Sequence, residues 1–256
     1  MADADPTVFP TRDLSQTAVD LPRTAGDLPL TAVVLPGTGS DAQFADAAFR
    51  APLERRGIRV VAVDPDPRRV VGSYLDALDR EARTGAILAG GVSIGAAVAL
   101  HWAAQHPSAA VGVLAALPAW TGSPEEAPAA ASARWTAHEL RTHGLEPVVA
   151  AMVESSPAWL GRELSRSWRA QWPNLPSALE EAAAFRALDA EALAGVTVPV
   201  GITAAVDDAV HPLAVAQEWA ALLPCAALTT VTLAEIGADP AILGTGCLAV
   251  WERVTA

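Results

Sequence analysis

The chain has 256 residues, 52% of them hydrophobic, and its 29 acidic against 17 basic residues give a formal charge of −12; a phosphate backbone would be repelled, so nucleic acid is not an expected partner. All 17 basic residues are arginine, and the absence of lysine removes Schiff-base, pyridoxal-phosphate, P-loop and Ser–Lys chemistry. No apolar run approaches the roughly 20 residues that span a bilayer, and the acidic, proline-broken start MADADPTVFP lacks the basic and apolar regions of a signal peptide, so a soluble cytoplasmic protein without membrane association is expected.

In chain order, the first 29 residues are rich in Pro, Thr and Asp and are compatible with short edge strands or a loose arm. An alternating rhythm follows. LTAVVL (30–35) is a β-branched strand candidate closed by PGTGS, and 41–56 reads as a helix stopped at Gly57. IRVVAV (58–63) is a second strand, and 68–83 places Val70, Val71, Tyr74, Leu75 and Leu78 on one helical face. AILAG (86–90), a helix over 94–106 and VGVLAAL (111–117) continue the pattern. Strands alternating with helices of this length predict βαβ units and a mostly parallel α/β sheet.

The rhythm breaks over 119–195, which reads as several helices punctuated by proline and holds five of the eight tryptophans, namely Trp120, Trp135, Trp159, Trp168 and Trp172. It resumes with strands at 196–203 and 227–233 and helices at 212–223 and 240–254. The predicted organisation is an α/β core (1–118 and 196–256) interrupted by a helical cap (119–195). The tryptophans serve either as packing for the cap or, for Trp120, Trp135 and Trp159, as an apolar roof over a ligand pocket. Cys225 and Cys247 suit neither a disulfide framework nor a zinc set and are read as buried small residues.

The stretch AGGVSIGAAVAL (89–100) carries the chemistry. G-x-S-x-G arises easily by chance in an Ala/Gly-rich chain, but here it lies between a buried strand and a helix, where a nucleophile elbow belongs. The sharp turn exposes the Ser93 hydroxyl at a helix N-terminus, and strand and helix come so close that Gly91 and Gly95 must be tiny. A dinucleotide loop would need glycine where Ser93 stands and an acid after the next strand, which instead runs into LPAW.

On these residues the chain resembles the α/β-hydrolase superfamily, in its capped esterase, lyase and perhydrolase-like branch, over about residues 30–254. The resemblance implies an α/β-hydrolase fold with a serine nucleophile at Ser93 and no cofactor. LPGTGS (35–40) looks like the oxyanion loop, with Pro36 where the family usually has histidine; by position the backbone N–H groups of Thr38 and Ile94 are the implied oxyanion donors. PVGITAAVDDAVHP (199–212) resembles the strand and loop of the triad acid. The family's acid lies four residues before a proline, which selects Asp208 and leaves Asp207 as a solvated loop acid. LAEIGADPAILG (233–244) resembles the segment that carries the family's histidine, but the matching position is Ala238.

No histidine follows position 211. His101 and His106 lie on and beyond the helix that leaves the elbow and are read as packing or surface residues. In HELRTH the histidines His138 and His143 are five apart, not the four of a zinc-protease helix, so they do not share a face and no metal is expected. His211 lies in the loop of Asp208, where histidine before proline is ordinary in the family, and is the remaining candidate for a substitute base. The leading expectation is a serine hydrolase of small carboxylic esters or thioesters, impaired by Ala238. The alternative is a lyase, cyclase or ligand-binding pseudo-enzyme that naturally lacks the histidine. The expected partner in either case is a partly apolar small molecule; an interaction module would need an exposed apolar face, and oligomeric state is left open.

Overall fold

A computed structural model describes residues 30–256, so the expectation for residues 1–29 lies outside the described residues. Among the described residues six strands form one sheet in the order β2-β1-β3-β4-β5-β6. They are β1 (Thr31–Leu35), β2 (Arg59–Ala62), β3 (Ile87–Val92), β4 (Ala110–Ala116), β5 (Val200–Ala205) and β6 (Ala226–Val231). Every pairing is parallel. A parallel sheet is covered on both faces, so its strands are apolar throughout rather than alternating. Accordingly β1, β3 and β5 are buried at every position.

The pleat sends alternate residues to opposite layers. Val33 and Leu35 join one apolar cluster, and Ala32 and Val34 the other. The first layer holds α2 (Val70–Ala82), α3 (Ile94–Gln105) and α9 (Leu213–Leu222); the second holds α1 (Ala42–Glu54) and α11 (Ala241–Thr255). Helix α3 is buried from Ile94 through Leu100 without a polar face, as befits a helix covered all round.

The segment between β4 and β5 contains α4 (Pro128–His143), α5 (Leu145–Ser155), α6 (Ala158–Gln171), α7 (Leu175–Ala184) and α8 (Ala190–Ala194). The predicted strands and helices of the core fall within a few residues of these elements. One addition is α10 (Leu233–Ala238), in a stretch expected to be loop. Thr232 and Glu235 form a capping box at its start, which supplies the helix signal in TLAE. Cys247 is fully buried, which pushes its thiol up to about 12. Cys225, in contrast to expectation, is only partly buried, with its sulfur on the Val254 carbonyl at 3.5 Å. No helix among the described residues is long and apolar enough to cross a membrane.

Candidate active site

Ligand sites of parallel α/β sheets form at the C-terminal ends of the strands, and the singled-out residues lie there. Ser93 follows β3 directly, with φ 56° and ψ −117°, a backbone strain stored at functional sites in non-glycine residues. The surroundings enforce it. The Ser93 amide donates to the Ala116 carbonyl at 2.9 Å, extending the β3–β4 ladder, while its carbonyl already accepts from Ala97 in α3 at 3.1 Å. The chain must therefore turn from strand to helix at one residue. A methyl group on Gly91 would come within 2.6 Å of the Leu35 carbonyl oxygen and of the Gly95 backbone, and one on Gly95 would strike the Leu35 and Pro36 carbonyls. The small-residue requirement read from the sequence is thus a backbone-on-backbone contact.

Ser93 is 6% exposed. Its Oγ lies 2.9 Å from His211 Nε2, and His211 Nδ1 lies 2.8 Å from Asp208 Oδ2. Both partners are largely buried, their side chains 17% and 10% exposed. The local sequence builds this arrangement. Asp208 Oδ1 accepts from the amides of Val210 at 2.8 Å and His211 at 3.2 Å. This is an Asx-type turn, and it folds residue 211 back over its own acid, leaving Oδ2 for the imidazole. Burial raises the Asp208 carboxyl, but the hydrogen bond and charge of His211 and the two amides outweigh it and hold the group below the ordinary carboxylate range. An ionised Asp208 can only accept, so Nδ1 of His211 carries a proton and Nε2 of the neutral ring is left to accept from the serine hydroxyl.

This geometry corrects the expectation that the serine lacks an imidazole partner. The partner comes from the loop after β5, the lesser candidate in the sequence. The segment that resembles the family's histidine loop is instead folded as α10. Ala238 is its last residue, and the neighbouring Gly237 lies against the Trp159 indole so closely that no side chain fits there. Asp207 is also more than a solvated acid: its Oδ1 accepts from the Leu233 amide at 2.8 Å and ties the β5 loop to the start of α10. His101 and His106 sit away from Ser93, His101 edge-on to Phe185 and His106 stacked on Trp102. His143 faces Glu139 at 3.6 Å on its own helix.

The loop after β1 borders the elbow, since a Cβ on Gly37 would be 3.4 Å from that of Ser93. Residues 37–40 make a β-turn closed by Ser40 N–H to Gly37 O at 3.0 Å, with Thr38 and Gly39 at its corner and Gly39 at φ +70°. A positive φ at the third position is what a type II turn asks of glycine. The buried Tyr74 hydroxyl donates to the Pro36 carbonyl at 3.1 Å and fixes the loop's start. Among the described residues the amides of Thr38 and Ile94 have no acceptor. The Ile94 amide adjoins the serine at the N-terminus of α3, where negative charge is favoured, and the Thr38 amide follows Gly37, which packs against Ser93.

The three tryptophans expected to roof a pocket are dispersed. Trp120 is buried in the core with its Nε1 on the Phe185 carbonyl at 3.2 Å. Trp135 is 66% exposed on α4 and encloses nothing. Trp159 alone approaches elements near the site, stacked on Phe44 of α1 at 6.1 Å and lying on Gly237. Sequence amphipathicity identifies such residues as packing groups but does not say against which element they pack.

The order of strands, the elbow after β3 and the helical insertion after β4 define the α/β-hydrolase fold. Solved structures share it closely. MenH from S. aureus superposes with a TM-score of 0.69 at 17% identity, covering 91% of this chain and 97% of that one. A thermophilic esterase from Thermogutta terrifontis gives 0.68 at 16%, covering 89% and 91%. The enol-lactonase from Burkholderia xenovorans gives 0.65 at 18%, covering 88% and 92%. No protein-family model matches the chain, and no curated protein matches it by sequence.

Proposed function

We propose that the protein is a serine hydrolase of small carboxylic esters or thioesters in which Ser93 is the nucleophile, His211 the general base and Asp208 the orienting acid. The observation that carries this reading is the unbroken chain from Asp208 Oδ2 through the imidazole to Ser93 Oγ, at 2.8 and 2.9 Å. Both distances lie in the range that proton transfer requires. The esterase and enol-lactonase among the similar structures make acyl chemistry a natural use of the fold, although fold alone does not select it.

His211 Nε2 takes the hydroxyl proton as Ser93 Oγ attacks the acyl carbon. The carbonyl oxygen becomes an oxyanion held by the Thr38 and Ile94 amides, each donor contributing about 3–4 kcal/mol in comparable sites. The imidazolium, stabilised by Asp208, returns the proton to the departing alcohol or thiol, leaving an acyl-serine. Water then attacks that ester with His211 again as base; the acid is released and the serine hydroxyl is restored. Asp208 keeps its charge throughout, consistent with its lowered protonation range.

The test is hydrolysis of a panel of p-nitrophenyl acyl esters by the unaltered chain, with mass spectrometry of the protein after exposure to a fluorophosphonate. Turnover together with a single adduct on Ser93, both lost in His211→Ala, is the expected outcome. A folded protein that neither turns over the panel nor labels at Ser93 would sink the reading and favour a lyase or ligand-binding role for the same pocket.

A further inference from the structure

The described residues contain five buried polar side chains: Thr31, Ser93, Thr203, Ser167 and Gln171. The last two are on α6, one turn apart at i and i+4, and so share a helix face. Neither touches the serine. Both donate to main-chain carbonyls of the loop after β1: Ser167 Oγ to Gly39 O, and Gln171 Nε2 to Ser40 O at 2.9 Å. Arg166 adds a bidentate pair with Asp41, Nη2 to Oδ1 at 2.8 Å and Nε to Oδ2 at 3.1 Å. Asp41 is also the N-cap of α1. The Trp168 indole completes the contact, since a Cβ on Gly39 would lie 2.8 Å from its Nε1.

One helix thus binds residues 39, 40 and 41 in succession, immediately after Thr38. Buried polar groups are costly unless bonded, and here two of them are matched to two carbonyls of a turn whose approach the Tyr74 hydroxyl holds at Pro36 from the other side. The face of α6 is complementary to the turn that presents the Thr38 amide, and a donor's contribution depends on being fixed before charge develops.

We infer that Ser167 and Gln171 are positioning residues for the reaction. They hold the 37–40 turn from the side of the inserted helices, so that the Thr38 amide is preorganised only when α6 is seated. This inference rests on the serine-hydrolase reading above.

The test uses Ser167→Ala and Gln171→Met in the full chain. Arg169→Gln serves as a control, because Arg169 lies on the same helix but pairs with Glu146 at 2.7 Å and not with the loop. Hydrogen exchange of the amides over 37–41 is measured beside kcat, KM and the rate of fluorophosphonate labelling at Ser93. Each loop-facing variant should accelerate exchange in that segment and leave β1 unchanged. Each should lower kcat and the labelling rate about 10-fold with KM within about twofold, a fraction of the 10²–10³ seen when an oxyanion donor is removed outright. The control should change none of these. Faster exchange with unaltered kcat and labelling would reduce the contacts to architecture and overturn the inference, as would unaltered exchange in both variants. Failure of the unaltered protein to hydrolyse the esters or to label at Ser93 is a different result. It removes the hydrolase reading, and the positioning role with it, whatever the exchange shows.

Discussion

Two connections leave the same end of the sheet from adjacent strands, and they are built to opposite ends. The one after β5 is a tight turn whose polar groups converge. Asp208 closes its own backbone with one oxygen and receives His211 with the other. The one after β6 uses its polar groups on itself: Thr232 and Glu235 satisfy each other's backbone in a capping box, and Asp239 Oδ1 accepts from the Ala241 amide at 3.0 Å. The family that the sequence resembles divides acid and base between two such connections. Here a carboxylate and an imidazole both stand in the first, three residues apart, and the second is a short helix under Trp159. An Asx-type turn is sufficient to bring a carboxylate and an imidazole together and to line them up with a serine hydroxyl.

The largest effects should come from the converging loop and the serine it serves. Ser93→Ala and His211→Ala should each lower kcat roughly 10⁶-fold, as removal of either member does in comparable triads. Because those two act as a unit, the double variant should be little worse than either alone. Asp208→Asn keeps the shape of the turn but can place an amide nitrogen, which donates and cannot accept from His211 Nδ1, where Oδ2 stood, and should cost about 10⁴ in kcat. Steady-state turnover of the best ester in the panel measures all three. Retention of most of the activity in His211→Ala would relocate the base and erase the contrast between the two loops.

A second consequence of the converging loop is linkage to pH. The folded-state pKa of Asp208 is depressed, chiefly because the His211 contact outweighs the opposing effect of burial. A depressed carboxylate contributes stability that is present above its unfolded value, near 3.9, and is lost as pH falls through the folded value. The stability that the Asp208 carboxylate contributes relative to Asp208→Asn should therefore be lost on acidification below about 4. Denaturant titrations at stepped pH read it directly. A gap that widened as pH fell below about 4 would reverse the assigned sign.

Much of this was legible in the sequence. The strands and their parallel pairing followed from the alternation of apolar runs and helices, though not the spatial order of the strands, and the tight turn at Ser93 followed from Gly91 and Gly95, because a backbone contact of that closeness leaves a compositional mark. The family pattern, an acid four residues before proline, pointed to Asp208 rather than Asp207, and Asp208 is the carboxylate that meets the His211 imidazole. The imidazole that meets Ser93 was harder to read. Sequence resemblance pointed to position 238, while His211 looked like an ordinary residue before proline. What decides between them is which way a side chain faces after a three-residue turn, and composition carries no mark of that. The clamp by Ser167 and Gln171 was illegible for a related reason. Polar residues at i and i+4 identify a face, but the carbonyls they serve lie about 130 residues earlier in the chain.

The smaller predictions concern the second connection. Asp207→Ala removes the bond that ties the two loops and should cost about 1 kcal/mol of stability, the value of an ordinary hydrogen bond, with kcat changed by less than about threefold because the partners of Ser93 are untouched. The smallest effect belongs to Ala238→His. If the serine lacked a base, restoring histidine at the position that the resemblance marks would raise turnover by orders of magnitude. With His211 already 2.9 Å from Ser93 Oγ, a second imidazole has no proton to take, and the variant should stay within about twofold of the unaltered chain. The sharper comparison places Ala238→His in the His211→Ala background. Position 238 closes α10, and the only side-chain oxygen of the β5 loop that reaches that helix is that of Asp207, on the Leu233 amide. The bond between that helix and the β5 loop runs through Asp207 and not Asp208, and activity should not return. Recovery of even a hundredfold in the double variant would mean that the second connection still holds the geometry of a base and that the two loops are interchangeable hosts for it.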